Sequence, residues 1–197
     1  MKLPVLLREI RACTECQESL PLGPRPIVQV GSNARILIIG QAPGRRVHES
    51  GIAWDDPSGE RLRSWLGIDR EQFYDPNLVA LVPMGFCYPG TGPSGDAPPR
   101  PECADLWHDP LLSRLKKIEI TLLIGRYAQK RYLPDASRET LTAVVRQWKT
   151  SAPGIFPLPH PSPRNNRWLK NNPWFEEELA PALKKAVRSL LKKHTTR

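Results

Sequence analysis

Four strand-length runs rich in apolar residues punctuate the chain, at Arg35 to Ile39, Leu78 to Val82, Ile118 to Ile124 and Ile155 to Leu158, and none alternates with polar positions. Strands covered on both faces read this way, so the runs predict a buried sheet. Helical spacing recurs between them, at Ser58 to Leu66 with Leu62, Trp65 and Leu66 inward, at Pro101 to Leu115, at Arg126 to Leu133 and at Thr140 to Trp148. This alternation predicts an α/β fold, a single domain over residues 1–197 with a central four-stranded parallel sheet flanked by helices. Before the sheet, Leu3, Leu6, Leu7 and Ile10 are spaced as one face of a short helix that delivers Cys13 and Cys16. After it, Phe175, Leu179, Leu183, Ala186, Val187 and Leu190 form an apolar stripe within Pro173 to Lys193, where Pro181 either starts the main helix or kinks it.

Composition adds a compartment and a class of partner. The apolar runs are too short to span a bilayer, and Met1-Lys2-Leu3-Pro4 begins no secretory leader, so a soluble, cytoplasmic monomer without membrane contact is expected. Net charge is +9, and residues 160–197 carry nine Lys and Arg against three Glu. Such a surface suits a polyanion, nucleic acid above all, although a solvated helix face would carry the same charge. The 22 prolines mark stiff connections, and the stretch from Tyr88 to Pro101 is too long and too rich in turn formers for a simple link. A cluster-bracing or substrate-facing loop is the expectation there.

The four cysteines fall into two pairs, Cys13-x2-Cys16 and Cys87-x15-Cys103, with none left over. Four thiolates from two loops can close a shell around zinc or hold the irons of a cubane cluster. Two disulfides or four unrelated buried thiols are the competing readings, and disulfides need an oxidising compartment.

In open α/β sheets, ligands bind outside the carboxyl ends of the strands. The first predicted strand runs into Gly40-Gln41-Ala42-Pro43-Gly44 and the last into Pro159-His160-Pro161-Ser162-Pro163-Arg164-Asn165. Glycine and proline there build rigid turns that bring main-chain N–H groups and a polar side chain to a ligand. Either motif alone is an ordinary strand-to-helix loop; together they mark a site.

The two loops resemble the paired motifs of the uracil-DNA glycosylase superfamily, Gly-Gln-Asp-Pro-Tyr-His or Gly-Glu-Ala-Pro-Gly in the first and His-Pro-Ser in the second, over residues 13 to about 170. The cysteine spacing is similar to that of its iron-sulfur-containing branch, which implies a [4Fe-4S] cluster on Cys13, Cys16, Cys87 and Cys103, with zinc as the alternative occupant. The resemblance implies a DNA-repair enzyme that hydrolyses the N-glycosidic bond of uracil or another deaminated base. A non-catalytic or altered-specificity DNA-binding protein of the same fold is the alternative, and an iron-sulfur or zinc protein with a small-molecule pocket a third.

On that resemblance His160 stabilises the departing base anion, Gly40, Ala42, Pro43, Gly44, Trp54 and Asn165 form the base pocket, and Arg164, Ser162 and Arg167 face DNA. From the residues alone, His160 could equally be a satisfied core histidine and Trp54 a core tryptophan. Neither motif carboxylate is present, because Gln41 and Ala42 occupy those positions. Gln41 can orient a water but cannot take its proton, so either Glu49, Asp55 or Asp56 is the base, with Glu49 and Asp56 preferred, or the sugar cation forms first and weakly activated water suffices. Asp56 could instead cap the helix that starts near Ser58. Where relatives place an asparagine to read the uracil edge, this chain has Pro83, which shifts base reading to main-chain groups or to Asn165 and Asn166.

Overall fold

The computed structural model describes residues 2–93 and 95–195. Its strands are β1 (Ile36–Ile39), β2 (Val79–Leu81), β3 (Thr91–Gly92), β4 (Gly95–Asp96), β5 (Ile120–Ile124) and β6 (Ile155–Leu158). The helices are α1 (Leu3–Arg11), α2 (Arg45–Ser50), α3 (Pro57–Leu66), α4 (Arg70–Tyr74), α5 (Pro101–Leu112), α6 (Gly125–Tyr132), α7 (Leu141–Arg146), α8 (Asn166–Asn171) and α9 (Ala180–Thr195). Four strands form one parallel sheet in the order β2-β1-β5-β6, with Ile36 opposite Val79 and Ile120, and Leu123 opposite Pro157. The expected α/β architecture with a four-stranded parallel sheet is what the chain adopts.

Alternation along β1 feeds two cores, as the two-residue period of a strand requires. Ile36 and Ile38 pack with Leu62, Leu66, Phe175, Leu183 and Val187 on one face, where α3 meets α9. Leu37 and Ile39 pack with Leu6, Ile10, Leu111 and Leu123 on the other, where α1 meets α5. Burying each such side chain contributes about 1.5–3 kcal/mol, which is why a sheet this short is stable only when clad on both sides. Pro157 is tolerated because β6 is an edge strand, and the other edge is closed by Gln29, whose main chain exchanges hydrogen bonds of 3.1 and 2.8 Å with Leu81.

Helix ends follow local chemistry. Asp56 Oδ1 accepts from Gly59 N–H at 2.8 Å to cap α3, Pro57 occupies its first turn, and Gly67 ends it at φ 69°. Asp69 and Gln72 form a reciprocal capping box on α4. Pro181 falls in the first turn of α9, directly after a π-type turn at Phe175–Leu179 that continues the same helical run from Trp174, so the helix widens locally beside the proline rather than beginning at it. The stretch after β2, expected as a cluster-bracing or substrate-facing loop, contains a small antiparallel hairpin in which β3 and β4 pair, with Thr91 opposite Asp96 and Gly92 opposite Gly95. Ser94 lies outside the described residues.

Candidate active site

A pocket of about 650 Å³ opens where β1, β2 and β6 end, within the range of small-molecule sites. All of Gly40 to Gly44 line it, together with Trp54, Asp56, Pro83, Asp96 and the His160 loop. The structure therefore brings both sequence motifs to one cavity. The first loop is tied to the chain after β2, since Met84 N–H donates to the Gly40 carbonyl at 2.9 Å and Gly85 N–H to the Gln41 carbonyl at 3.0 Å.

Trp54 is the one described non-glycine residue with positive φ, at 58°. Backbone strain of this kind persists only where the surroundings impose it. Tyr74 Oη donates to the neighbouring Ala53 carbonyl at 2.8 Å, and the indole lies so close to Gly40 that a Cβ there would stand 2.8 Å from its Cζ2. The ring is stacked on His160, with centroids 5.6 Å apart and planes 27° from parallel. Trp54 thus lines the pocket, as expected of a pocket residue, while turning one face to the histidine.

His160 is positioned from both sides. Ser162 N–H donates to its Nδ1 at 3.2 Å, which assigns the proton of the neutral ring to Nε2. Asn165 Nδ2 donates to the His160 carbonyl at 2.7 Å. Burial holds the imidazole pKa below its ordinary value, and the nearby Asp56 carboxylate only partly opposes this. At neutral pH the ring is therefore an uncharged Nε2–H donor. Asn165 lines the pocket and gives one of its two amide N–H groups to the His160 carbonyl, which braces the loop, and Asn166 is exposed on α8.

The carboxylates separate sharply. Glu49 does not reach the pocket: it is exposed on α2, where its Oε1 accepts from Arg45 Nε at 3.0 Å. Asp55 is paired with Arg70 at 2.9 Å and is absent from the pocket wall. Asp56 lines the pocket and caps α3 at once, so the two expectations for it are compatible. Asp96 is the pocket carboxylate that sequence reasoning missed; it arrives on the β3–β4 hairpin, between the third and fourth cysteines. Asp96 is exposed at the pocket mouth; its partial desolvation raises its pKa, Arg164 opposes this, and Asp56 adds to the rise. Among cations, Arg164 lines the pocket and is exposed at its rim, Ser162 Oγ accepts from Arg164 N–H at 3.3 Å, and Arg167 is exposed on α8 outside the pocket wall.

A second, smaller cavity is lined by Cys13, Cys16, Cys87 and Cys103 together, so the fold joins the two cysteine pairs. All four are free thiols. Burial pushes the Cys87 thiol up to about 11 and the Cys103 thiol up to about 12. Phe86 N–H donates to Cys103 Sγ at 3.3 Å. Two further wall residues, Trp107 and Arg100, carry buried donors, Nε1 and Nε, that find no acceptor among the described residues. Orphaned N–H groups beside converging thiols fit a sulfur-rich acceptor. Among the described residues, no three His, Cys, Asp or Glu side chains are grouped as ligands of a single metal ion.

A parallel α/β sheet with a pocket at its carboxyl edge, walled by two loops and holding a neutral histidine against an aromatic ring, has the layout of a ligand-binding α/β protein. The model of the uracil DNA glycosylase superfamily matches residues 28–184. The chain belongs to that superfamily, whose membership supports a glycosylase-like role. No helix among the described residues is long and apolar enough to cross a membrane.

Proposed function

We propose that the protein is a DNA-repair hydrolase that removes uracil, or another deaminated base, from DNA, and that Cys13, Cys16, Cys87 and Cys103 hold a [4Fe-4S] cluster that braces it. The observation that carries the hydrolase reading is the His160 tautomer: a neutral Nε2–H donor fixed in the wall of the pocket that both motif loops build. A base must leave its stack to be excised, at an expense of a few kcal/mol, and a pocket of this size takes an extruded nucleotide. As the glycosidic bond breaks, negative charge collects on the base, and a preorganised N–H donor in a water-poor site stabilises it where it forms. Arg164 at the rim and Arg167 on α8 supply exposed cationic groups for phosphates.

The cysteine cavity supports the cluster. In a cubane each thiolate binds its own iron, whereas zinc holds every sulfur about 2.3 Å from one point. Four thiols that share one wall could each bind one iron of such a cube. The cluster supplies cohesion, tying the segment after α1 to both ends of the hairpin loop. Pro83 favours a second reading within the same chemistry, altered base preference, because it lines the pocket with a ring that can read no base edge.

The test is incubation of the iron-loaded protein with oligonucleotides carrying uracil, hypoxanthine or xanthine, followed by alkaline cleavage of abasic sites. Strand scission on at least one of them is expected. Salt-sensitive binding without scission on any would leave a DNA-binding member of the fold, and overturn the enzyme.

A further inference from the structure

Relying on the hydrolase reading above, we infer that Asp96 is the base that takes a proton from the attacking water, and that Gln41 is a positioning residue that holds the hairpin carrying it. The motif carboxylates expected at the first loop are missing, yet the pocket is not short of acids. Of the carboxylates near it, Glu49 and Asp55 are paired with Arg45 and Arg70 away from its wall, and Asp56 has Oδ1 committed to the Gly59 N–H. Among the described residues, no hydrogen bond engages the Asp96 carboxylate, and the groups that act on it do so through space.

Its placement is built, not incidental. The carboxylate lies against the first motif loop, where a Cβ on Gly44 would stand 3.1 Å from its Oδ2 and crowd it. Gln41 Nε2 donates to the Ala97 carbonyl at 3.3 Å, the residue after Asp96, and Ala97 N–H donates to the Gly90 carbonyl at 2.8 Å. Arg164 packs so closely on Gly95 that a Cβ there would meet its guanidinium. The side chain standing where a motif acid would be thus fastens the segment that brings an acid from elsewhere. Asp56 at the start of α3 and Arg164 after β6 are the charged groups facing it, and partial desolvation with Asp56 outweighs Arg164 to raise its pKa.

The step balances without a further reactant. The water oxygen bonds to C1′ as the C1′–N bond breaks, and the bonding pair leaves on the base, which the His160 Nε2–H hydrogen-bonds. One water proton passes to Asp96 and the other stays on the new hydroxyl of the abasic sugar. Asp96 then releases its proton to solvent, and the base anion takes one up.

The experiment is single-turnover excision by the unaltered protein, Asp96→Asn and Gln41→Ala on a uracil oligonucleotide across pH, alongside DNA affinity and thermal melting. Asp96→Asn should slow excision by about 10²- to 10⁴-fold, remove the acid limb of the rate profile and leave DNA affinity in place. Its melting temperature should equal or exceed that of the unaltered protein, because the substitution removes a carboxylate whose charged form the fold disfavours. Gln41→Ala should slow excision less and keep the acid limb. An Asp96→Asn variant with the unaltered rate and limb, or one that melts lower and is equally slow at every pH, would overturn the assignment. Failure of the unaltered protein to excise any base would instead overturn the hydrolase reading itself, and Asp96 would fall with it.

Discussion

The Ser162 main-chain N–H donates to His160 Nδ1 at 3.2 Å, and this one bond decides which ring nitrogen can serve a ligand. A proline on either side of Ser162 stiffens the turn that aims the donor, and the Asn165 amide closes it from the other end at the His160 carbonyl. The result is a histidine whose role follows from backbone geometry as much as from its own chemistry.

Stability should fall as the medium is acidified below the ordinary histidine value. His48, His108 and His160 all have pKa values lowered from 6.5, with burial the largest cause in each. Below that pH the unfolded chain binds more protons than the folded one, so stability is fully present above pH 6.5 and is lost as pH falls toward the lowered folded values. Denaturant midpoints from about pH 7.5 to about pH 5 check this, and a midpoint that rises on acidification contradicts it.

Gly40→Ala should disable the pocket while sparing the fold. The new methyl would stand 2.8 Å from Trp54 Cζ2, so the indole must tilt and its stacking on His160 is disturbed. Gly59→Ala is the contrasting case, since its Cβ would stand 1.8 Å from the Trp54 carbonyl oxygen and main chain must move. A destabilisation of about 1–3 kcal/mol is expected for Gly59→Ala, read from chemical melts, and a much smaller one for Gly40→Ala.

Sheet and site differ in how far they can be read from the chain alone. The four parallel strands are legible because strands clad on both faces leave continuous apolar runs, and β6 matches its predicted span at Ile155–Leu158. Helices α2, α4 and α8 are five or six residues long, under two turns of periodicity, and so leave no helical pattern, although the Asp69-Gln72 capping box announces α4. The motif loops carry the pocket wall, yet proximity along the chain favours Glu49 as the acid, and its i,i+4 partner Arg45 holds that side chain at the surface. Asp96 is distant in sequence from both motif loops and sits in a two-residue strand too short to show a period. Only an acid in a glycine-rich stretch between two cysteines hints at it.

Loss of the proposed cluster should loosen the hairpin before the sheet. Cys87 precedes β3 and Cys103 sits in α5, so both ends of the loop carrying Asp96 are anchored at the cysteine cavity. Cys87→Ser should lower iron from about four per chain, abolish visible charge-transfer absorption and speed amide exchange over residues 88–100, with β1 and β5 still protected. Unchanged exchange in that loop would contradict the bracing role.

DNA affinity should fall steeply with salt, because phosphates neutralised by the protein release their counterions. Arg164→Ala should make the slope of log affinity against log salt shallower by about 0.9 for each duplex phosphate that the arginine neutralises. A slope near zero in the unaltered protein would show that its charge of +9 is merely solvated.

The most direct measurement is the single-turnover rate of uracil release by the protein and by His160→Ala, with binding of the same oligonucleotide measured in parallel. Without the Nε2–H donor, release should slow by about 10²- to 10³-fold while affinity changes little. Equal rates for the two proteins would contradict the role of His160, and with it the chemistry assigned to the pocket.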